Sequence, residues 1–311
     1  MRKNRMDFWN LAIRIIFLSQ TTIGLLGNFS LIFYYVALYY EQCTLKPTDL
    51  ILMHLMGVNA LIILSSGIPQ TMAAFGLKQF LNDFLCKLLL YFQGFFRNLS
   101  IGTICLLSVF QAMTISPRES CWKNHNAKAK TYIGCSISFL WILYVSINLT
   151  FSVHTFINRD GKNATRKRDF GYCSIVGRNE ISDLLYTALV VCPEIFFSVL
   201  VAWSSMSMII ILYRHKLRVQ HIRSTHSSSR TSPDSRATQN ILLLVSTFLV
   251  FYTLSSIFRG CIALLNNQNW WLMNITPLTS LSFPAFGPFV LRNPFLTLSR
   301  LIWSKSGTKM I

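Results

Sequence analysis

Seven stretches of this chain, over residues 11–39, 48–75, 84–115, 132–156, 184–213, 238–265 and 270–291, are mainly apolar. Each reaches the roughly 20 residues needed to cross a hydrocarbon core about 30 Å thick. That repetition of length limits the fold more than any motif does. Inside lipid every backbone N–H and C=O must be bonded within the protein, which leaves helices or closed barrels as the spanning structures. Continuous apolar runs of this length, without strict alternation, specify helices. The expected architecture is therefore an all-α membrane protein, a bundle of seven transmembrane helices. The gaps between stretches are short and no tandem repeat is visible, so residues 1–311 are read as one domain.

Composition supports the same conclusion. Charged residues make up 13% of the chain and hydrophobic residues 52%, with a mean hydropathy of +0.44. Soluble domains carry about 25% charged residues. The charges present are lopsided, with 29 Lys and Arg against 11 Asp and Glu, a formal +18. A nucleic-acid binder would explain that sign but not the apolar bulk, and intrinsic disorder requires low hydrophobicity. Basic loops between membrane spans account for both features.

The seventh stretch contains Pro277, Pro284 and Pro288, which a membrane helix tolerates when neighbouring helices and hydroxyls satisfy the freed carbonyls. Arg2, Lys3 and Arg5 precede the first stretch like a signal-peptide n-region. Its apolar run is too long for an h-region and lacks a small-x-small cleavage site, so it is read as an uncleaved span. With the N-terminus outside, cytoplasmic segments hold 15 Lys and Arg and the outer ones 11. The positive-inside rule thus favours this orientation only weakly, and the basic N-terminus opposes it.

Two loop features bear on orientation. Asn163-Ala164-Thr165 is a glycosylation sequon between the fourth and fifth stretches, usable only on the lumenal side. Asn28, Asn98 and Asn148 also begin sequons, but inside spans, where the transferase cannot act. With the N-terminus outside, Cys86 and Cys173 are the pair in the oxidising compartment. Cys43 and Cys121 face the cytosol, and Cys105, Cys135, Cys192 and Cys261 lie within spans. Cys86 and Cys173 are candidate disulfide partners on compartment grounds, with coincidental placement as the alternative.

No catalytic constellation stands out. The chain has no Gly-rich phosphate loop, no Gly-x-Ser-x-Gly elbow and no His-Glu-x-x-His helix, and its six histidines form no metal-spaced pair within a span. An enzyme, a resident metal and a cofactor are all unexpected. The charges within the spans are more informative. Arg97 lies about 16 Å below Cys86 and Glu194 about 15 Å into the fifth stretch, at 1.5 Å per helical residue. Opposite charges at one depth relieve each other's desolvation. Arg97 and Glu194 are therefore expected to face the bundle interior, either as a structural pair or as walls of a polar pocket. Arg259 is near the outer end of the sixth stretch, as a third pocket candidate or a residue that snorkels to the interface. Asn59, midway along the second, reads as a helix–helix hydrogen-bonding residue.

The segment from Arg214 onward, including Lys216 and Arg218, is basic and then Ser-rich. Its first half is expected to extend the fifth helix beyond the membrane, either facing an acidic partner or anionic lipid headgroups or serving as an ordinary positive-inside loop, which composition alone favours. After the seventh stretch, Phe295, Leu298, Leu301 and Ile302 fall on one face of a short interfacial helix.

Several runs together resemble the vomeronasal type-1 receptors, a family of seven-helix G-protein-coupled pheromone receptors. They are the segment from Cys105 to Pro117, that from Arg214 to Ser224, that from Arg236 to Phe248, Asp169-Phe-Gly-Tyr-Cys-Ser174 and Gly67-Ile-Pro-Gln-Thr-Met72. The resemblance covers nearly the whole chain. It implies a rhodopsin-like receptor architecture in the plasma membrane, an extracellular N-terminus, a Cys86–Cys173 bridge and glycosylation at Asn163. It further implies detection of small volatile or steroid-like molecules and signalling through an inhibitory-class G protein. The broader rhodopsin-like pattern is only partly kept. Gly27-Asn28 matches it, but Val109-Phe110-Gln111 replaces Asp-Arg-Tyr and Gly287-Pro288-Phe289-Val290-Leu291 replaces Asn-Pro-x-x-Tyr. Asn59 stands where an acid is usual, so no rhodopsin-type ionic lock or sodium site is carried over.

The leading expectation is a receptor in which a ligand among helices three, five, six and seven shifts the bundle toward a G-protein-binding state. Gln111, Arg214, Lys216 and Arg218 would then form the G-protein face. A small-solute transporter or channel is the alternative, since midplane charges and a proline-broken helix would serve it too. No inverted repeat supports that alternative.

Overall fold

A computed structural model describes residues 2–42, 45–77, 80–115, 126–157, 167–169, 172–176, 192–223, 233–264 and 270–291. Seven long helices among them carry the apolar stretches. We label these α1 (Arg2–Gln42), α2 (Pro47–Ala74), α3 (Asp83–Ile115), α4 (Asn126–Ile157), α5 (Cys192–Arg223), α6 (Pro233–Leu264) and α7 (Trp270–Val290). A two-stranded antiparallel hairpin, β1 (Lys167–Asp169) and β2 (Ser174–Val176), interrupts the all-helical pattern between α4 and α5. Residues 184–191 of the fifth apolar stretch and the expected interfacial helix around residues 294–303 lie outside the described residues.

Six of the described helices are long and apolar enough to cross a membrane. The last, α7, is diluted by its three prolines and by serines and threonines. Those residues face protein rather than lipid: Leu281 to Ala285 are buried throughout. Outer faces show the reverse pattern, with Leu26, Phe33, Ile142 and Trp203 exposed. Apolar outer faces of this extent are unstable in water and suited to lipid. The chain is a multi-pass membrane protein.

Helix α3 is the central element, packing against α2, α4, α5 and α6, while α1 rests on α2 and α7. Its residues Leu99, Ile101, Ile104 and Leu107 are fully buried. Small residues permit the close approach of α1. A Cβ added at Gly24 would stand 2.7 Å from Ile63 Cδ1 and 3.0 Å from the Ala285 Cα, so α1 meets α7 almost backbone to backbone and packs closely on the Ile63 side chain of α2.

Helix α2 is not uniform. Its α-helix over Pro47–Ile62 widens into a π-helical turn, Ile63–Gly67, and resumes as α-helix over Ile68–Ala74. Pro69 causes the distortion: its ring crowds the carbonyl four residues back and it has no N–H to offer. The helix ends in a turn at Gly76, whose φ of 105° suits glycine.

Candidate functional site

The inward face of α3 carries Gln93, Arg97 and Ser100 at helical spacing. Arg97 meets groups from three other helices. Its Nε donates to Glu194 Oε1 on α5 at 3.2 Å. Its Nη1 donates to Ser255 Oγ on α6 at 3.1 Å and to Ser280 Oγ on α7 at 3.2 Å. Its Nη2 donates to Ser256 Oγ at 2.9 Å, and the guanidinium carbon lies 4.1 Å from the centre of the Tyr252 ring. Ser256 Oγ in turn donates to Glu194 Oε2 at 3.4 Å.

The two charged side chains are 7% and 9% exposed. Charges removed from water to this degree require pairing plus hydrogen bonds to their remaining polar atoms. Three serines and an aromatic face supply these here. The sequence expectation for Arg97 and Glu194 corresponds to a direct ion pair in the structure.

Arg259 does not snorkel to an interface. It lines the same cavity as Arg97 and donates from Nη2 to Ser280 Oγ at 3.2 Å. One α7 hydroxyl therefore accepts from an α3 arginine and an α6 arginine at once. The cavity between them is narrow, about 30 Å³, and its wall includes Ile62, Gln93, Phe251, Tyr252, Thr279 and Phe283.

The end of this site nearest the start of α3 is tied to the hairpin. Cys86 and Cys173 form a disulfide that joins the first turn of α3 to the loop. Both cysteines and Tyr172 are buried against Ala73, Leu81, Leu89 and Leu90. Gln93 Nε2 donates to the Ser65 carbonyl at 2.8 Å and to the Tyr172 hydroxyl at 3.1 Å. Burial pushes the Tyr172 phenol up to about 12, against the lowering effects of the Gln93 hydrogen bond and the Arg259 charge. Tyr172 thus keeps its proton at physiological pH.

Other expected residues are placed differently. Asn59 is fully buried, yet neither amide atom has a hydrogen-bond partner among the described residues, so the expected helix–helix bond is not made. Asn28 takes that part instead, donating to the carbonyls of Gly24 and Pro284. His54 links α3 and α4: Trp141 Nε1 donates to its Nε2 at 2.9 Å, and Thr103 Oγ1 lies 3.2 Å from its Nδ1. At the opposite end of the bundle, Gln111 is buried and Arg214 exposed. Lys216 and Arg218 lie on the described helix α5, but their side chains, and all of Asn163, are outside the described residues. No group of three or more His, Cys, Asp or Glu able to hold a metal occurs among the described residues.

The vomeronasal organ pheromone receptor family matches residues 11–303. The chain belongs to this family. Vomeronasal type-1 receptor 4 of Homo sapiens is 46% identical over 274 residues, which cover 88% of this chain and 91% of that receptor. Vomeronasal type-1 receptor 96 of Rattus norvegicus is 29% identical over 300 residues, 95% of this chain and 92% of that receptor. In structure the chain is similar to squid rhodopsin, with a TM-score of 0.68 over 95% of this chain and 87% of rhodopsin at 12% identity. That likeness shows the fold alone. As a vomeronasal receptor family member with this fold, the chain is a chemosensory receptor and not an enzyme.

Proposed function

We propose that this vomeronasal-family receptor stands in the plasma membrane with its N-terminus outside, detects small-molecule pheromones and activates an inhibitory-class heterotrimeric G protein. The observation that supports this best is the Arg97 network, which ties α3, α5, α6 and α7 together at the wall of one cavity. Small-molecule pockets run to roughly 300 Å³ or more, so a ligand entering this cavity forces the helices apart. Its polar groups compete for Ser280, Ser256 and the two arginines. A ligand that fits the opened arrangement better than the closed one shifts the equilibrium by that difference in affinity.

The inner ends of α3, α5 and α6 transmit the shift. Gln111, Arg214, Lys216 and Arg218 form the G-protein face in this reading, with membrane lipids around the bundle. Burial of Gln111 in the present arrangement fits a face that opens on activation. Residues 1–311 act as one seven-helix unit, and Asn163 carries a glycan on the outer side. Nucleic acid has no role.

The test is guanine-nucleotide exchange in membranes containing the receptor and an inhibitory-class G protein, challenged with a panel of small volatile and steroid-like compounds. At least one compound is expected to raise exchange in a saturable way. Solute flux across the membrane without exchange would instead support a transporter and overturn the proposal.

A further inference from the structure

Two of the sequence runs that mark the family, Gly67-Ile-Pro-Gln-Thr-Met72 and Asp169-Phe-Gly-Tyr-Cys-Ser174, meet at one point through Gln93. In a regular helix the Ser65 carbonyl would accept from the backbone N–H of residue 69. That residue is Pro69, which has none. The vacated acceptor is taken by Gln93 Nε2 of α3 at 2.8 Å. A primary amide nitrogen has two hydrogens, and the second serves the Tyr172 hydroxyl at 3.1 Å. The same hydroxyl also lies 3.4 Å from Gln93 Oε1 as a donor, so the amide is held between the Ser65 carbonyl and Tyr172, one turn above Arg97.

Tyr172 is held from the other side too. It adjoins Cys173, whose disulfide anchors the loop to α3, and it is buried. Gln93 lines the cavity, so the phenol bonded to it stands at the α3 side of the cavity's outer end.

We propose that Gln93 and Tyr172 are the gate residues of the Arg97 cavity: Pro69 frees the Ser65 carbonyl, that carbonyl fixes Gln93, and Gln93 holds Tyr172 across the way in from outside. The gate bears on which molecules reach Arg97, and in that sense it rests on the receptor reading. A molecule passing it must break the Gln93–Tyr172 hydrogen bond or replace the phenol with an oxygen of its own. Leaving the amide unpaired carries the penalty of a buried, unsatisfied donor.

Cysteine labelling from outside tests this without ligand or G protein, so its result is separable from that of the exchange experiment. Thr279 lines the cavity, and its hydroxyl bonds carbonyls of its own helix, Ile275 and Thr276. Thr279→Cys therefore places a thiol there while leaving the gate untouched. The probe is the membrane-impermeant reagent 2-(trimethylammonium)ethyl methanethiosulfonate, applied to intact cells. The Thr279 parent chain gives the background from the six cysteines outside the disulfide, Cys43, Cys105, Cys121, Cys135, Cys192 and Cys261. Tyr172→Phe, Gln93→Leu and Pro69→Ala, each added to Thr279→Cys, should raise the labelling rate about fivefold to tenfold, the effect of one hydrogen bond.

Combining Gln93→Leu with Tyr172→Phe should add nothing beyond either alone, because both remove the same contact. Pro69→Ala is the critical arm, since it touches neither Gln93 nor Tyr172 and acts by restoring a helical N–H to Ser65. If one variant fails to reach the surface, the other two report on the same bond. Rates within twofold of the Thr279→Cys parent, or independent multiplication of the Gln93 and Tyr172 effects, would overturn the proposal.

Discussion

Arg97→Ala is expected to lower the surface level of the receptor several-fold and to abolish the response of what remains. The substitution leaves the Glu194 carboxylate 9% exposed without its partner and removes the donor from Ser255, Ser256 and Ser280. Breaking a buried pair on one side costs about 3–5 kcal/mol, a large share of the roughly 5–15 kcal/mol by which a folded domain is stable. Glu194→Ala should produce a defect of similar size, since it strands the opposite charge. Arg97→Lys should recover surface level more than response. An ammonium satisfies the charge of Glu194, but it cannot fork toward α5, α6 and α7 at once. Surface immunolabelling beside a calcium or nucleotide-exchange assay separates the two effects. A normal response from either alanine variant would contradict the coupling.

Cys86→Ser or Cys173→Ser should be comparably severe. The bond spans 87 residues of sequence, and closing a loop of that length restricts the unfolded chain by about 4–5 kcal/mol. The loss also releases Tyr172 from the outer end of α3. Surface biotinylation should show little receptor for either single variant and no further loss for the double variant. A single variant at the parental surface level would show that the bridge contributes little.

Much of this molecule was legible in its residues because lipid imposes a strict code. Apolar runs of spanning length gave the helices, and compartment logic singled out Cys86 and Cys173. Depth along a helix was enough to bring Arg97 and Glu194 to one level. Rotation about the helix axis was harder to read. Ser255, Ser256 and Ser280 went unnoticed because serine within a helix commonly bonds a carbonyl of its own helix, as Ser65, Ser205 and Ser246 do here. A serine that reaches across to a neighbour looks the same in sequence.

Arg259 shows the same difficulty. Its position near a helix end left both a pocket side chain and an interface-bound one open, and only its azimuth, toward Ser280, decides between them. Asn59 has the residue type of a helix–helix donor, but it is Asn28 that bonds across to the Pro284 carbonyl of α7. Pro69 was noticed only as part of a family run, and the π-helical turn before it is a finding of the structure. The consequence, a vacated carbonyl answered by Gln93, required knowing which α3 side chain lies opposite.

The central claim is that the Arg97–Glu194 pair senses ligand and is not only a structural tie. The most direct measurement is agonist-stimulated guanine-nucleotide exchange by the double variant Arg97→Met/Glu194→Met, normalised to surface receptor. Replacing both members of a buried pair with apolar residues of similar volume is often neutral for folding or stabilising. The double variant should therefore reach the surface at a higher level than Arg97→Ala, and yet fail to drive exchange with any compound that activates the parent. A double variant that responds with parental potency would contradict the claim and leave the pair as scaffolding.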